Sequence, residues 1–197
     1  DTITRIGANA FYQTRMYRNL EDGAAYIDEY LIFVETDKEE FRVREGTRVI
    51  ADFVTGNAWK LKRLYIPDSV TVIGENAFAG CTSLTEFSMG KGVTEISEWM
   101  LRGCKSLTTF TVTSDLTTIG EYAFAECTSL VYVDLPDSVE TILSGAFNGS
   151  GLTSIIVEEG NPEFHSAGNC LIHTETKQLI LGCKTTIIPD DGSVTGI

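Results

Sequence analysis

Five leucines set the frame for this chain. Leu61, Leu84, Leu107 and Leu130 lie 23 residues apart, and Leu152 follows after 22. Counting from each leucine, the fourth position holds Leu64, Phe87, Phe110, Val133 and Ile155, and the sixth holds Ile66, Met89, Val112, Leu135 and Val157. The tenth is Val70, Val93, Leu116 or Val139, and the thirteenth is Ile73, Ile96, Ile119 or Ile142. The pairs Ala77 and Phe78, Met100 and Leu101, Ala123 and Phe124, and Ala146 and Phe147 come next. Position 21 is Cys81, Cys104 and Cys127, with Ser150 breaking the series. A period of this size marks a chain of stacked units. No unit can bury its apolar face alone, so its neighbours must cover it.

Within a unit, the stretch around the fourth and sixth positions alternates apolar and exposed residues, which predicts a short half-buried strand. Strands from successive units then stack as a parallel sheet at roughly 4.8 Å spacing. The stretch from Ile73 to Cys81 reads differently. Ala77 and Cys81 are four apart and Phe78 and Cys81 three apart, so all three share one side of a helix. The expectation is a one- or two-turn helix on the opposite, convex side. Phe78, Cys81, Leu101, Cys104, Phe124, Cys127 and Phe147 then form the structural core.

Two segments depart from the period. Ala25 to Val34 reads as one strand, followed by a polar turn at Glu35 to Glu39 and then Phe41 to Val43, a first hairpin over 25–44. Cys170 to His173, a turn at Thr174 to Lys177, and Gln178 to Leu181 make a second. Regular units are expected at 61–83, 84–106, 107–129 and 130–151, with a degenerate unit at 38–60, where Thr55 and Ala58 replace the Phe and Cys. A modified unit with its hairpin spans 152–185. Partial units at 1–14 and 186–197 suggest a fragment of a longer array that forms one domain over 1–197.

The phrases Ile66 to Leu84 (IPDSVTVIGENAFAGCTSL) and Leu135 to Val139 (LPDSV) resemble BspA-type leucine-rich repeats. Asn169 to Ile172, Thr176 to Cys183 and Ile188 to Asp190 resemble the hairpin unit that interrupts such arrays. The resemblance covers nearly the whole chain and is weakest over 14–23 and 46–60. It implies an α/β solenoid: a right-handed leucine-rich-repeat superhelix with a concave parallel sheet, short convex helices and two hairpin insertions. It also implies a bacterial surface or secreted protein, since characterised members are adhesins for host proteins or other microbes. The family shares no catalytic residues, so none is carried over.

Charge narrows the partners. Asp and Glu total 28 against 15 Lys and Arg, a net charge of −13. Such a surface repels phosphate backbones and anionic lipid, which argues against nucleic acid and membrane insertion. The five cysteines cannot all pair. Those at position 21 fall on the inward side, where free cysteine acts as a small buried hydrophobe. His165, Cys170, His173 and Cys183 are a nominal zinc set. However, Cys170 and His173 are three apart on a strand and point to opposite faces, so no metal site is expected. A disulfide between Cys170 and Cys183 stays open. Histidines that lie close together in sequence, with no nucleophile motif, give no catalytic triad. No cofactor and no enzymatic activity are expected.

What remains is the outward side of the strands, where two columns run across the units. One reads Glu40, Arg63, Glu86, Thr109, Tyr132 and Ser154; the other reads Arg42, Tyr65, Ser88, Thr111, Asp134 and Ile156. Exposed aromatics and arginines among hydroxyl residues suit a protein-recognition surface. A solvated sheet with good strand formers would read the same way. The candidate binding residues are Arg42, Arg63, Tyr65, Glu86, Thr109, Thr111, Tyr132 and Asp134, on a monomeric adhesion module facing host or microbial proteins. The alternatives are a structural spacer and a substrate-docking accessory domain of a larger enzyme.

Overall fold

A computed structural model describes residues 3–8, 10–11, 14, 20, 22–35, 37–55, 58–110 and 115–196. Asn9, Thr111, Val112 and Ile197 lie outside the described residues. The chain opens with an antiparallel hairpin, β1 (Ala24–Ile27) and β2 (Tyr30–Val34). Each unit then lays down two short strands. The pairs are β3 (Glu40–Arg42) and β4 (Val49–Ile50), β5 (Arg63–Tyr65) and β6 (Val72–Ile73), and β7 (Glu86–Ser88) and β8 (Glu95–Ile96). They continue as β9 (Thr109–Phe110) and β10 (Thr118–Ile119), then β11 (Tyr132–Leu135) and β12 (Thr141–Ile142). β13 (Ser154–Val157) leads into an antiparallel meander of β14 (Phe164–Ala167), β15 (Cys170–His173) and β16 (Leu179–Gly182).

The odd-numbered strands β3, β5 and β7, and again β9, β11 and β13, pair in parallel, so residues one repeat apart face each other. Strands β2, β4 and β6, and again β8, β10 and β12, pair in parallel as a second layer that the sequence reading did not anticipate. Thr118 pairs with Glu95 on one side and with Thr141 on the other. A two-residue strand is too short to show alternation, so the second layer left no periodic trace. The architecture is a β-solenoid of stacked coils.

The expected convex helices are not there. The Asn76–Cys81 stretch and its equivalents are tight turns, closed by bonds from Ala79 N–H to Asn76 O (3.2 Å) and from Cys81 N–H to Phe78 O (3.3 Å). The physical reason is backbone handedness. Asn76 (φ 54°) and Gly80 (φ 75°) both sit in the left-handed region, as do Trp99 and Gly103, Tyr122 and Glu126, and Gly145 and Gly149. A right-handed helix cannot accommodate such residues. Each turn bonds instead to the next unit: Asn76 N–H to Glu98 O (3.0 Å), Phe78 N–H to Met100 O (3.0 Å) and Gly80 N–H to Arg102 O (2.8 Å). The same three bonds recur from Trp99, Leu101 and Gly103, and from Tyr122, Phe124 and Glu126. The coils are therefore held together on the turn side by a ladder between units.

The first hairpin also differs from expectation. Its turn falls at Asp28 and Glu29, inside the stretch read as one strand, because Asp28 takes φ 48°. β3 does not pair with β2 at all. It lies parallel to β5, while β2 extends the second layer beside β4.

One core runs the length of the coils. Leu61, Leu84, Leu107, Leu130 and Leu152 are buried, and so are Phe78, Cys81, Leu101, Cys104, Phe124, Cys127 and Phe147. Phe87 and Phe110 stack with ring centres 6.0 Å apart, Phe110 meets Phe124 at 4.8 Å, and Phe124 stacks on Phe147 at 5.3 Å. This aromatic spine ties three units through side chains where the ladder ties them through backbone.

Candidate recognition face

The outward side chains of the first sheet form the surface singled out from the sequence. Register places Glu40, Arg63 and Glu86 side by side, and likewise Arg42, Tyr65 and Ser88. The strand pleat turns Phe41, Leu64 and Phe87 into the core and leaves these neighbours outside. The outward groups engage one another. Glu40 clamps two arginines, accepting from Arg42 Nε at 2.8 Å and from Arg63 Nε at 3.0 Å. Arg42 lies over the Tyr65 ring, 3.8 Å from its centre, and Tyr65 donates to Glu86 at 3.0 Å. Hydrogen bonds from Arg63 and then Arg42 hold the Glu40 carboxyl below its ordinary range. Burial, reinforced by Glu86, pushes the Tyr65 phenol up.

Of the candidate residues, Arg42, Arg63, Tyr65 and Glu86 thus meet in one network, and Glu40, which the sequence reading placed in the column but not in the site, is its hub. The two arginine charges are balanced by Glu40 and Glu86, so this end of the face is polar without being strongly cationic. Thr109, Tyr132 and Asp134 sit apart on β9 and β11, where Tyr132 pairs with Thr109 and Ser154. Burial and then the Asp134 carboxylate raise the Tyr132 phenol. Exposed Ile156 lies beside Asp134 and adds an apolar spot. Thr111 falls outside the described residues.

The turn side carries features that spacing alone did not reveal. Trp99 and Tyr122 occupy the same left-handed position in consecutive units and stack at 4.5 Å, with the Arg102 guanidinium over the Trp99 ring, 4.8 Å from its centre. A groove of about 460 Å³ runs beside this column, and its lining includes Asp52, Glu75, Glu98 and Glu121. Arg5 reaches into its end, 2.9 Å from Asp52 and 2.7 Å from Glu75. Arginines thus engage part of the acidic surface on this side, as Arg102 engages Glu126 at 2.7 Å.

Two of the position-21 thiols, Cys104 and Cys127, are hydrogen-bond donors as well as packing atoms. Cys104 Sγ lies 3.4 Å from Phe78 O and Cys127 Sγ lies 3.2 Å from Leu101 O, each in the preceding coil. Burial raises the Cys81 thiol to about 11 and the Cys127 thiol to about 12, and holds Cys104 well above its ordinary value. All five cysteines are free thiols. Cys170 faces Gly182 across the hairpin, one residue short of Cys183. The histidines serve the meander: His173 Nδ1 accepts from Thr176 N–H at 3.2 Å, and His165 Nδ1 lies 3.3 Å from Thr174 Oγ1. Among the described residues no three His, Cys, Asp or Glu side chains gather as a metal site. No described helix is long and apolar enough to cross a membrane.

Residues 48–170 match the BspA type leucine rich repeat region in 6 copies. The chain belongs to that family. A leucine-rich repeat protein from T. pallidum is 31% identical with a TM-score of 0.61, over 64% of this chain and 62% of the other. A leucine-rich repeat protein from Bacteroides ovatus is 21% identical with a TM-score of 0.63, over 72% of this chain and 41% of the other. A leucine rich cell surface protein from Faecalibacterium prausnitzii is 20% identical with a TM-score of 0.53, over 79% and 58%. The array thus spans less than two thirds of the length of each of these relatives. No curated protein sequence matches it. Membership fixes the repeat architecture, a fold that typically carries no catalysis.

Proposed function

We propose that this array is a non-catalytic protein-recognition module of a bacterial surface or secreted protein, and that it binds through the outward face of the first sheet. The observation that carries the reading is the network on that face. A guanidinium stacked on a tyrosine, fixed by two carboxylates, presents aromatic and charged groups already in place. Holding them rigid beforehand lowers the ordering cost of binding. Tyrosine and arginine are also the residue types that dominate binding hot spots. Surface placement rests on the family's character, and a monomer suits an array whose neighbouring coils cover one another.

A screen against immobilised host matrix proteins and bacterial surface proteins tests the reading. Any partner should lose affinity by roughly tenfold or more, about 1.4 kcal/mol, on Tyr65→Ala or Tyr132→Ala. A partner that binds both variants as well as the parent moves the site off this face.

A further inference from the structure

Asn148 and Gly149 form the one Asn-Gly pair in the sequence, and they sit on the last of the regular turns. Gly149 takes φ 70°, at the repeat position of Gly80, Gly103 and Glu126. In those three coils the backbone N–H at this position is engaged: Gly80 donates to Arg102 O, Gly103 to Ala125 O and Glu126 to Asn148 O, each at 2.8 Å. The Gly149 N–H has no partner among the described residues. Beyond it the chain leaves the turn pattern for the meander, where Leu171, one repeat past Asn148, pairs with Ser166 and Leu181.

The side chain before this nitrogen is equally unencumbered. Asn148 and Gly149 are both exposed, and the Asn148 carboxamide makes no hydrogen bond among the described residues. Even a Cβ on Gly149 would come no nearer than 3.7 Å to any atom beyond its chain neighbours, and glycine leaves the backbone its widest freedom. Two things are needed for a backbone nitrogen to attack the carboxamide one residue back: reach, and loss of the N–H proton. A hydrogen bond made by the N–H favours the protonated form, so the engaged amides of the earlier coils are held back and the Gly149 amide is not.

We infer that Asn148 is a site of spontaneous covalent modification, converting in the folded array to aspartate and isoaspartate. Hydroxide takes the Gly149 N–H proton, and the nitrogen attacks Cγ of Asn148 to form a new C–N bond and a cyclic imide. The carboxamide nitrogen gains a proton and leaves as ammonia. Water then opens the imide at one carbonyl or the other, giving aspartate or isoaspartate. In the isoaspartyl product the chain runs through the former side chain, and the former main-chain carbonyl becomes a free carboxylate. That carbonyl is Asn148 O, the acceptor for Glu126 N–H, so the product loses this rung as a peptide bond-to-peptide bond contact. The site lies on the turn side and does not involve Tyr65 or Tyr132, so it is independent of the recognition reading.

Incubation of the whole chain at mildly alkaline pH, with peptide mapping by mass spectrometry, tests this beside a capped peptide, Phe-Asn-Gly-Ser-Gly, copied from residues 147–151. The fragment holding Asn148 should gain about one dalton at no less than roughly a third of the peptide's rate, because an exposed turn needs no opening first. Asn148→Gln should remove the gain. Ala79→Asn places the same pair before Gly80, whose N–H is engaged, and that asparagine should convert at least about tenfold more slowly than Asn148, since it waits on local opening. In the isoaspartyl fraction, separated by chromatography, the Glu126 amide should exchange at least about tenfold faster than in fresh protein. The inference is overturned if Asn148 stays intact while the peptide converts, or if the two asparagines of the Ala79→Asn chain convert at the same rate. An unchanged Glu126 exchange rate in the isoaspartyl fraction overturns the loss of the rung.

Discussion

At the scale of single residues, burial is the quantity that separates one side of each coil from the other. Phe124 is fully buried and touches both Phe110 and Phe147, so Phe124→Ala removes a ring from the middle of the spine. Urea titration should show a loss of about 3–5 kcal/mol, the usual cost of truncating a large aromatic core residue. Thr109 is exposed on β9, and Thr109→Ala should stay within about 0.5 kcal/mol of the parent. The cysteines give a pH-dependent counterpart. Their folded values lie above the ordinary 9.0, at about 11 for Cys81 and about 12 for Cys127. The folded state therefore keeps protons that the unfolded chain releases, and stability present below pH 9 is lost as the pH climbs towards these values. A variant with Cys81, Cys104 and Cys127 all replaced by Ala should start less stable but lose less between pH 9 and 11. Equal slopes for parent and variant would show that the thiols are not the groups responsible. In the native state at neutral pH these thiols should resist labelling until denaturant is added.

At the scale of elements, the turn is where sequence and structure part. Ala77, Phe78 and Cys81 point inward in a helix and equally in the observed turn, so their spacing made the inward positions legible without fixing the backbone. The discriminating residues are Gly80, Gly103 and Gly149, glycines at one repeat position with φ near 70–75°, because a left-handed position favours glycine and ends a helix. Strand register was legible because apolar residues recur at a constant interval, and so were the columns. The network on the face was not, since two-faced clamping by Glu40 depends on side-chain reach rather than on spacing. The first hairpin hid behind an apolar run, with the polar pair Asp28 and Glu29 as its only mark. The turn also yields a test of coupling between coils. A Cβ on Gly145 would sit 2.5 Å from the Tyr122 ring, and Gly145 itself has φ 67°. Gly145→Ala should cost roughly 1–2 kcal/mol for the left-handed backbone, plus whatever the ring contact adds. In a double-mutant cycle Tyr122→Ala should recover the contact portion. Strict additivity of the two changes would mean that the ring moves aside freely.

At the scale of the whole molecule, the turn-side backbone bonds recur at the same repeat positions in three successive coils. Met100 O receives Phe78 N–H at 3.0 Å just as Ala123 O receives Leu101 N–H at 3.0 Å and Ala146 O receives Phe124 N–H at 2.7 Å. Deleting residues 84–106 removes one full period and should leave a shorter array that still unfolds cooperatively, as followed by circular dichroism during a urea melt. Deleting only 84–96 leaves every later coil out of step with the earlier ones and should abolish the cooperative transition. Because the contacts repeat without reference to a particular coil, length is nearly free to vary in whole periods. Unequal crossing-over at the gene can add or drop a coil, moving whatever lies beyond it by roughly 4.8 Å each time. A lineage of such chains can thus adjust its reach step by step, without ever passing through an intermediate that fails to fold.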